Sequence, residues 1–172
     1  MSFELEIQAT IILKKMLSDR GYTIEEDSKE DFTVRAFTPK NRMICFICNE
    51  DKLSIQGIKE YMSLMNKENY NRCIIVYRDS VTSSAKKSLE IMEYNIELFN
   101  ISELQIDITE HELVPKHEKT TKEEKEELEK KYKGKLPIIL HTDAISRYYF
   151  FQRGDYIRIT RKDGNVVYRI VK

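Results

Sequence analysis

Cys45 and Cys48 stand in the CxxC spacing shared by dithiol redox centres and zinc sites. Each chemistry makes a further demand. A redox pair opens a helix, where the dipole lowers the thiol pKa. A structural zinc takes two more ligands at suitable spacing. Here the pair lies inside the apolar run Met43-Ile44-Cys45-Phe46-Ile47-Cys48, with no second ligand pair nearby. On a strand, side chains three residues apart point to opposite faces. Cys45, Cys48 and Cys73 are therefore expected to be buried structural thiols, which suits a reducing, intracellular compartment. His111 and His117 are six residues apart across Pro115, which prevents a common helical metal face, and His141 is remote. The five glycines build neither a GxGxxG nor a Walker loop, and no GxSxG elbow occurs. No metal and no cofactor is expected.

One nuclease arrangement has part of its residues. Such a core sets an aspartate on one strand and an acid-x-lysine triplet on the next, to hold Mg²⁺ and position water. Asp31 suits the first role. The next strand, Arg42 to Cys48, contains no acid, and Glu50-Asp51-Lys52 lies beyond its end. A divergent metal-dependent nuclease is kept as the alternative from the enzyme class, with a stand-alone DNA-binding protein as a third reading.

Two other groups suit binding rather than reaction. Thr82, Ser83, Ser84, Lys86 and Lys87 combine hydroxyls with two cations just ahead of a helix. A helix N-terminus favours an anion such as a phosphate. The competing reading is a plain N-cap followed by a solvated helix. Arg147, Arg153, Arg158, Arg161 and Arg169, with Tyr148, Tyr149 and Tyr156 among them, suit a nucleic-acid patch or a protein interface, where Arg and Tyr are also enriched. Arg147 equally suits an internal ion pair, and Gly154 a turn.

The elements that must carry these residues follow from periodicity. Leu5, Ala9, Ile12, Leu13 and Met16 lie on one helical face over Ser2 to Arg20, with Ser2 as cap and Gly21 as stop. Asp31–Phe37, Arg42–Ile47 and Arg72–Tyr77 read as strands, and Ser54–Asn66 as a helix facing inward through Ile55, Ile58, Met62 and Met65. Asp79 to Lys87 reads as a loop, followed by a short helix to about Met92. Glu97–Phe99 and Gln105–Ile108 read as two more extended pieces. This is an α/β pattern ending near residue 110. Thr121-Lys122-Glu123-Glu124 is a capping box, with Glu124 expected to reach back to Thr121, and it opens a charged helix that Gly134 ends. Leu136–Leu140 reads as a short strand, Asp143 caps a helical turn, and Asp163-Gly164 joins Tyr156–Arg161 to Val166–Val171 in a hairpin.

The 172 residues are 41% hydrophobic and 34% charged, enough for a core and against a chain disordered throughout. Lys plus Arg and Asp plus Glu both total 29, which argues against a strongly basic coat protein. The zero is a sum of unlike parts. Residues 1–108 hold 14 basic and 18 acidic side chains, a net −4, and residues 109–172 hold 15 and 11, a net +4. No apolar run approaches the ~20 residues that span a bilayer, and acids stand near the start where a secretory signal has basic residues. No membrane partner is expected.

Ile108-Thr109-Glu110-His111-Glu112-Leu113-Val114-Pro115-Lys116-His117 resembles the signature joining the two domains of the fifth subunit shared by eukaryotic nuclear DNA-directed RNA polymerases, whose archaeal counterparts resemble the second domain alone. Leu136-Pro137, Asp143, Arg147-Tyr148, Arg153-Gly154 and Tyr168-Arg169 continue the resemblance, and Thr82 with Ser83-Ser84-Ala85-Lys86-Lys87-Ser88-Leu89 extends it upstream. The sequence departs from the family at Ala144, where a proline is usual, in lacking a proline after Thr82, and in a shorter hairpin loop. With its trimmed first domain it resembles a divergent eukaryotic or large-DNA-virus version. The resemblance implies an α/β N-terminal jaw domain over 1–108, restriction-nuclease-like but without catalytic acids, and a small α+β C-terminal assembly domain over 109–172. It implies a non-catalytic polymerase subunit that docks on the largest subunit and meets other polymerase subunits. It also implies weak, sequence-independent contact with downstream duplex DNA through Thr82, Ser83, Ser84, Lys86 and Lys87. The implied partner interface comprises His111, Pro115, Arg147, Tyr148, Arg153, Gly154, Tyr168 and Arg169. The implied location is the nucleus for a cellular protein, or a cytoplasmic viral factory and the virion for a viral one.

Overall fold

The computed structural model describes residues 2–25, 32–91 and 96–172, so Asp31 and the expected end of the helix at Met92 lie outside the described residues. The chain divides into two compact units, 1–106 and 107–172.

The first unit is α/β. Helix α1 (Ser2–Asp19) precedes strands β1 (Thr23–Ile24), β2 (Val34–Phe37) and β3 (Arg42–Ile47). A short β4 (Lys52–Leu53), helix α2 (Ile55–Lys67), β5 (Arg72–Tyr77), β6 (Ser80–Val81), α3 (Ser83–Ile91) and β7 (Ile96–Asn100) follow. The main sheet runs β1-β2-β3-β5-β7, with β1, β2 and β3 antiparallel and β3, β5 and β7 parallel. β3 is buried from Met43 to Ile47 and β5 from Cys73 to Val76. Such unbroken apolar runs belong to strands covered on both faces. Ile44, Phe46, Cys73 and Ile75 pack with Ile58 and Met65 of α2 and Ala85 of α3. On the opposite face Arg20, at the end of α1, reaches Glu97 of β7 with two contacts of 2.8 Å, and Arg78 pairs with Glu6 of α1.

Local signals explain most boundaries. Gly21, at φ +85°, closes α1: its N–H donates to the Ser18 carbonyl and that of Tyr22 to Leu17, a Schellman pair. Ser2 falls inside the helix rather than ahead of it. Ser54 Oγ caps α2 by accepting from the Gly57 N–H at 3.2 Å. Two expectations fail here. Ser83 to Lys87 are helix, not loop. Gln105–Ile108 is not a strand: the chain turns in short 3-10 segments over Ile101–Leu104 and Ile108–Glu110. A capping box at Asn100 starts the first, its Oδ1 accepting from the Ser102 N–H while Glu103 accepts from the Asn100 N–H, and Asp107 Oδ1, accepting from the Thr109 N–H at 2.8 Å, starts the second.

The second unit is a four-stranded sheet with two helices. β8 (Lys116–Lys119), α4 (Lys122–Tyr132), β9 (Ile138–Ile139), α5 (Ala144–Tyr148), β10 (Tyr156–Thr160) and β11 (Val166–Val171) follow in order. The sheet order is β8-β10-β11-β9, and only β9 with β11 is parallel. β8 has no counterpart among the expected strands, because Lys-His-Glu-Lys has too few apolar residues to declare one. Thr121 caps α4 by accepting from the Glu124 N–H. The left-handed stop of α4 begins one residue before Gly134, at Lys133 with φ +48°.

Candidate functional site

The pleat of the C-terminal sheet sorts the expected partner residues onto different faces. Residues directly opposite across strands share a face. Tyr168 of β11 pairs with Arg158 of β10, which pairs with Glu118 of β8. Arg169 pairs with Ile157, and the adjacent opposed residues Ile159 and His117 lie on that same second face. Tyr168 and Arg169, adjacent in the YR motif, therefore cannot present one surface.

On the Tyr168 face the charged helix α4 is tied down. The Tyr168 hydroxyl donates to Glu124 Oε1 at 3.0 Å, and Arg158 lies 3.7 Å from that oxygen and 3.3 Å from Glu118. Burial first, and then the hydrogen bond to Glu124, raise the Tyr168 phenol above its ordinary value. The Glu124 carboxylate thus faces the sheet, whereas the capping-box spacing predicts that it reaches back to its own cap. Lys125 Nζ donates to the Gly154 carbonyl at 3.0 Å and sits over the Tyr156 ring.

The Arg169 face carries a pocket of about 270 Å³, built from the HELVP turn, β10, β11 and α5. The turn makes its own shape. The Leu113 N–H donates to His111 Nδ1 at 3.2 Å and the Val114 N–H to the His111 carbonyl at 2.9 Å. Leu113 is left 84% exposed, while Val114 joins the core formed by Ile139, Ile145 and Ile159. The Pro115 carbonyl lies 2.7 Å from His117 Nδ1. A carbonyl only accepts, so Nδ1 carries the proton and Nε2 is an acceptor. Burial pushes the His117 pKa down, which favours the neutral ring. Asp143 Oδ1 accepts from the Ile145 N–H at 3.0 Å and so starts α5 against the pocket. Arg161 and Arg169 line it as cations, and Arg169 Nη1 also donates to the Ile138 carbonyl at 3.3 Å.

A third cluster gathers at the end of the sheet. Gly154, at φ +86°, turns the chain so that its N–H meets the Val171 carbonyl at 2.9 Å. His141 Nδ1 donates to the Lys172 carbonyl, which leaves Nε2 to accept from Arg153 at 3.2 Å. Arg153 is exposed and thus presented from a fixed base, whereas Arg147 is half-buried on α5. Tyr148 is 4% exposed, and its ring meets Tyr149 edge-on. Of the expected interface residues it is thus one whose side chain lies mostly inside the unit.

In the first unit Thr82 is the cap of α3. Its Oγ1 accepts from the Ala85 N–H at 3.2 Å, and its own N–H donates to the Leu53 carbonyl at 3.0 Å. Ala85 is buried, which leaves Ser83, Ser84, Lys86 and Lys87 exposed around one helix start. All three cysteines are buried and none is in a disulfide. Among the described residues no group of three His, Cys, Asp or Glu side chains is placed to hold a metal. His117 and Val114 are pocket residues that sequence reasoning did not select for a site, and it placed Arg161 only in the general arginine group. For His117 the signal was two-residue alternation in β8, which the charged sequence disguised; Val114 and Arg161 lie in turns outside the strands, where no period marks them.

Residues 106–171 match the family model described as RNA polymerase Rpb5, C-terminal domain. The chain is 36% identical to subunit rpabc1 of DNA-directed RNA polymerases I, II and III from Dictyostelium discoideum, over 91% of this chain and 89% of the relative. It is 33% identical to subunit RPABC1 of Caenorhabditis elegans, over 96% and 93%. It is 26% identical to subunit 5B of DNA-directed RNA polymerases IV and V from Arabidopsis thaliana, over 91% and 85%. With similarity running through both units at these levels, the chain belongs to the Rpb5 family of shared RNA polymerase subunits.

Proposed function

We propose that this chain is a non-catalytic subunit of a multisubunit DNA-directed RNA polymerase and acts in transcription. Its C-terminal unit is the assembly module, docked on the largest subunit through the HELVP turn and the neighbouring Arg153 and Arg169. Its N-terminal unit is a jaw beside downstream duplex DNA, a restriction-nuclease-like core without catalytic acids. The observation that carries this reading is the near full-length similarity to relatives named as polymerase subunits.

The local chemistry supports the division of labour. The HELVP turn and the Arg153 cluster are built by hydrogen bonds that hold apolar and cationic groups at the surface, which suits protein contact. Thr82, Ser83, Ser84, Lys86 and Lys87 offer hydroxyls, two cations and a helix start, which suit a few phosphates. The net −4 of residues 1–108 suits light contact only. In a eukaryotic cell the place of work is the nucleus.

Affinity purification of the tagged chain from its native source tests the reading. The two large polymerase subunits are expected in the eluate, and their absence would overturn it.

A further inference from the structure

The pocket on the Arg169 face combines features that the docking reading leaves unused. Its floor is aliphatic: Ile108, Val114, Ile139, Ile145, Ile159 and Val167. Its charged lining is unbalanced, with two guanidiniums against one carboxylate, that of Asp143, which is already occupied in capping α5. Arg161 is exposed and has no ion-pair partner among the described residues; the Asp163 carboxyl, on the same hairpin, is held low first by its hydrogen bonds with Asn165 and in lesser part by Arg161. Glu112, near the rim, pairs with Lys162 at 3.8 Å. His117 adds one neutral hydrogen-bond acceptor at Nε2.

We infer that this pocket is the receptor for an acidic, extended segment of the partner protein, which seats one aliphatic side chain on the Val114–Ile139–Val167 floor and places a flanking carboxylate between Arg161 and Arg169. The inference rests on the docking reading and names the chemistry of the partner at that site. Charge complementarity fixes the sign: an incoming carboxylate finds two cations, one of them unpaired, whereas an incoming lysine finds only the engaged Asp143. The apolar floor fixes the class. A DNA backbone has no aliphatic knob to desolvate such a floor, and buried anchors of this kind carry most of the energy at protein interfaces. The segment's own backbone N–H is the natural donor to His117 Nε2.

The test uses the full chain, isotope-labelled, titrated by heteronuclear NMR with three capped peptides: Ac-Asp-Leu-Asp-NH2, Ac-Asp-Gly-Asp-NH2 and Ac-Lys-Leu-Lys-NH2. The first is expected to shift Val114, His117, Ile139, Arg161 and Val167 and to bind about tenfold more tightly than either control, the ratio that about 1.4 kcal/mol produces. Arg161→Glu with Arg169→Glu is expected to turn the preference toward the lysine peptide. Should the double variant not fold, Arg161→Glu alone, at an exposed hairpin position, must still weaken the aspartate peptide. Equal affinities for leucine and glycine peptides, equal affinities for the two charge types, shifts on another face, or a short DNA duplex moving the same signals would each overturn the inference. If peptide selectivity fails while the wild-type chain still recovers the large polymerase subunits, only this inference falls. If the wild-type chain recovers none, the proposed function falls whatever the peptides do.

Discussion

Arg20 and Glu97 form a two-contact pair whose side chains are 4% and 13% exposed. Removing one partner of such a pair strands a buried charge. Glu97→Gln is expected to lower the unfolding free energy by about 3–5 kcal/mol in urea titration, while an exposed pair such as Lys15–Asp19 contributes a few tenths. His117 gives a pH signature. Its folded pKa lies below the ordinary histidine value because the ring is buried. Below that ordinary value, about 6.5, the unfolded chain binds a proton that the folded chain resists. Stability is therefore fully present above that pH and falls as the solution is acidified toward the folded pKa. Urea midpoints at pH 7.5 and 5.5 are expected to differ less in His117→Asn, whose amide keeps the donor to the Pro115 carbonyl. An undiminished pH effect would place its source elsewhere. At this scale the sequence already spoke for the three cysteines: a CxxC within an apolar run has nowhere to go but inward, and all three thiols are buried. It could not speak for Tyr148, because a tyrosine beside an arginine reads equally as interface or core until its neighbours are placed.

Elements declare themselves when local chemistry is strong. The Gly21 stop, the Thr121 cap and the Asp163-Gly164 hairpin were all readable, since each is decided within a few residues. β8 was not, since a four-residue edge strand with three charged residues is set by its pairing with β10 alone. Thr82 is the cap of α3, so Thr82→Ala is expected to cost about 1 kcal/mol in chemical denaturation, and Thr82→Ser much less. The link between α4 and the sheet passes through Tyr168, Glu124 and Arg158. Tyr168→Ala removes a half-buried ring and leaves Glu124 without its donor, so both stability and recovery of polymerase subunits are expected to fall. Tyr168→Phe keeps the ring and is expected to lose only about 1 kcal/mol. Equal damage from both variants would mean that the hydroxyl, not the packing, holds α4.

At the level of the whole molecule, the zero net charge hides −4 and +4 on the two sequence halves. The units themselves divide between Ile106 and Asp107, at the 3-10 turns. Binding of the full chain to a short duplex is expected to be weak and to fall with salt. Lys86→Ala with Lys87→Ala is expected to flatten the log–log salt dependence by up to about two, without loss of polymerase subunits on purification. Arg153→Glu is expected to do the opposite, lowering co-purification and leaving the salt slope unchanged. A reversed pattern would contradict the assignment of docking to the second unit and DNA contact to the first.

By itself the sequence determined the family, most helices and strands and the absence of an acid in the strand Arg42–Ile47. These are properties of short segments, in which residue types and spacing act through caps, turns and apolar period. Only the tertiary structure decided which residues share a surface. Adjacent strand residues point to opposite faces, and which face α4 or the HELVP turn covers depends on packing between segments tens of residues apart. That is why Tyr168 and Arg169, one motif in the sequence, serve two different faces, and why Val114 and His117 meet Arg161, from a distant segment, in one pocket.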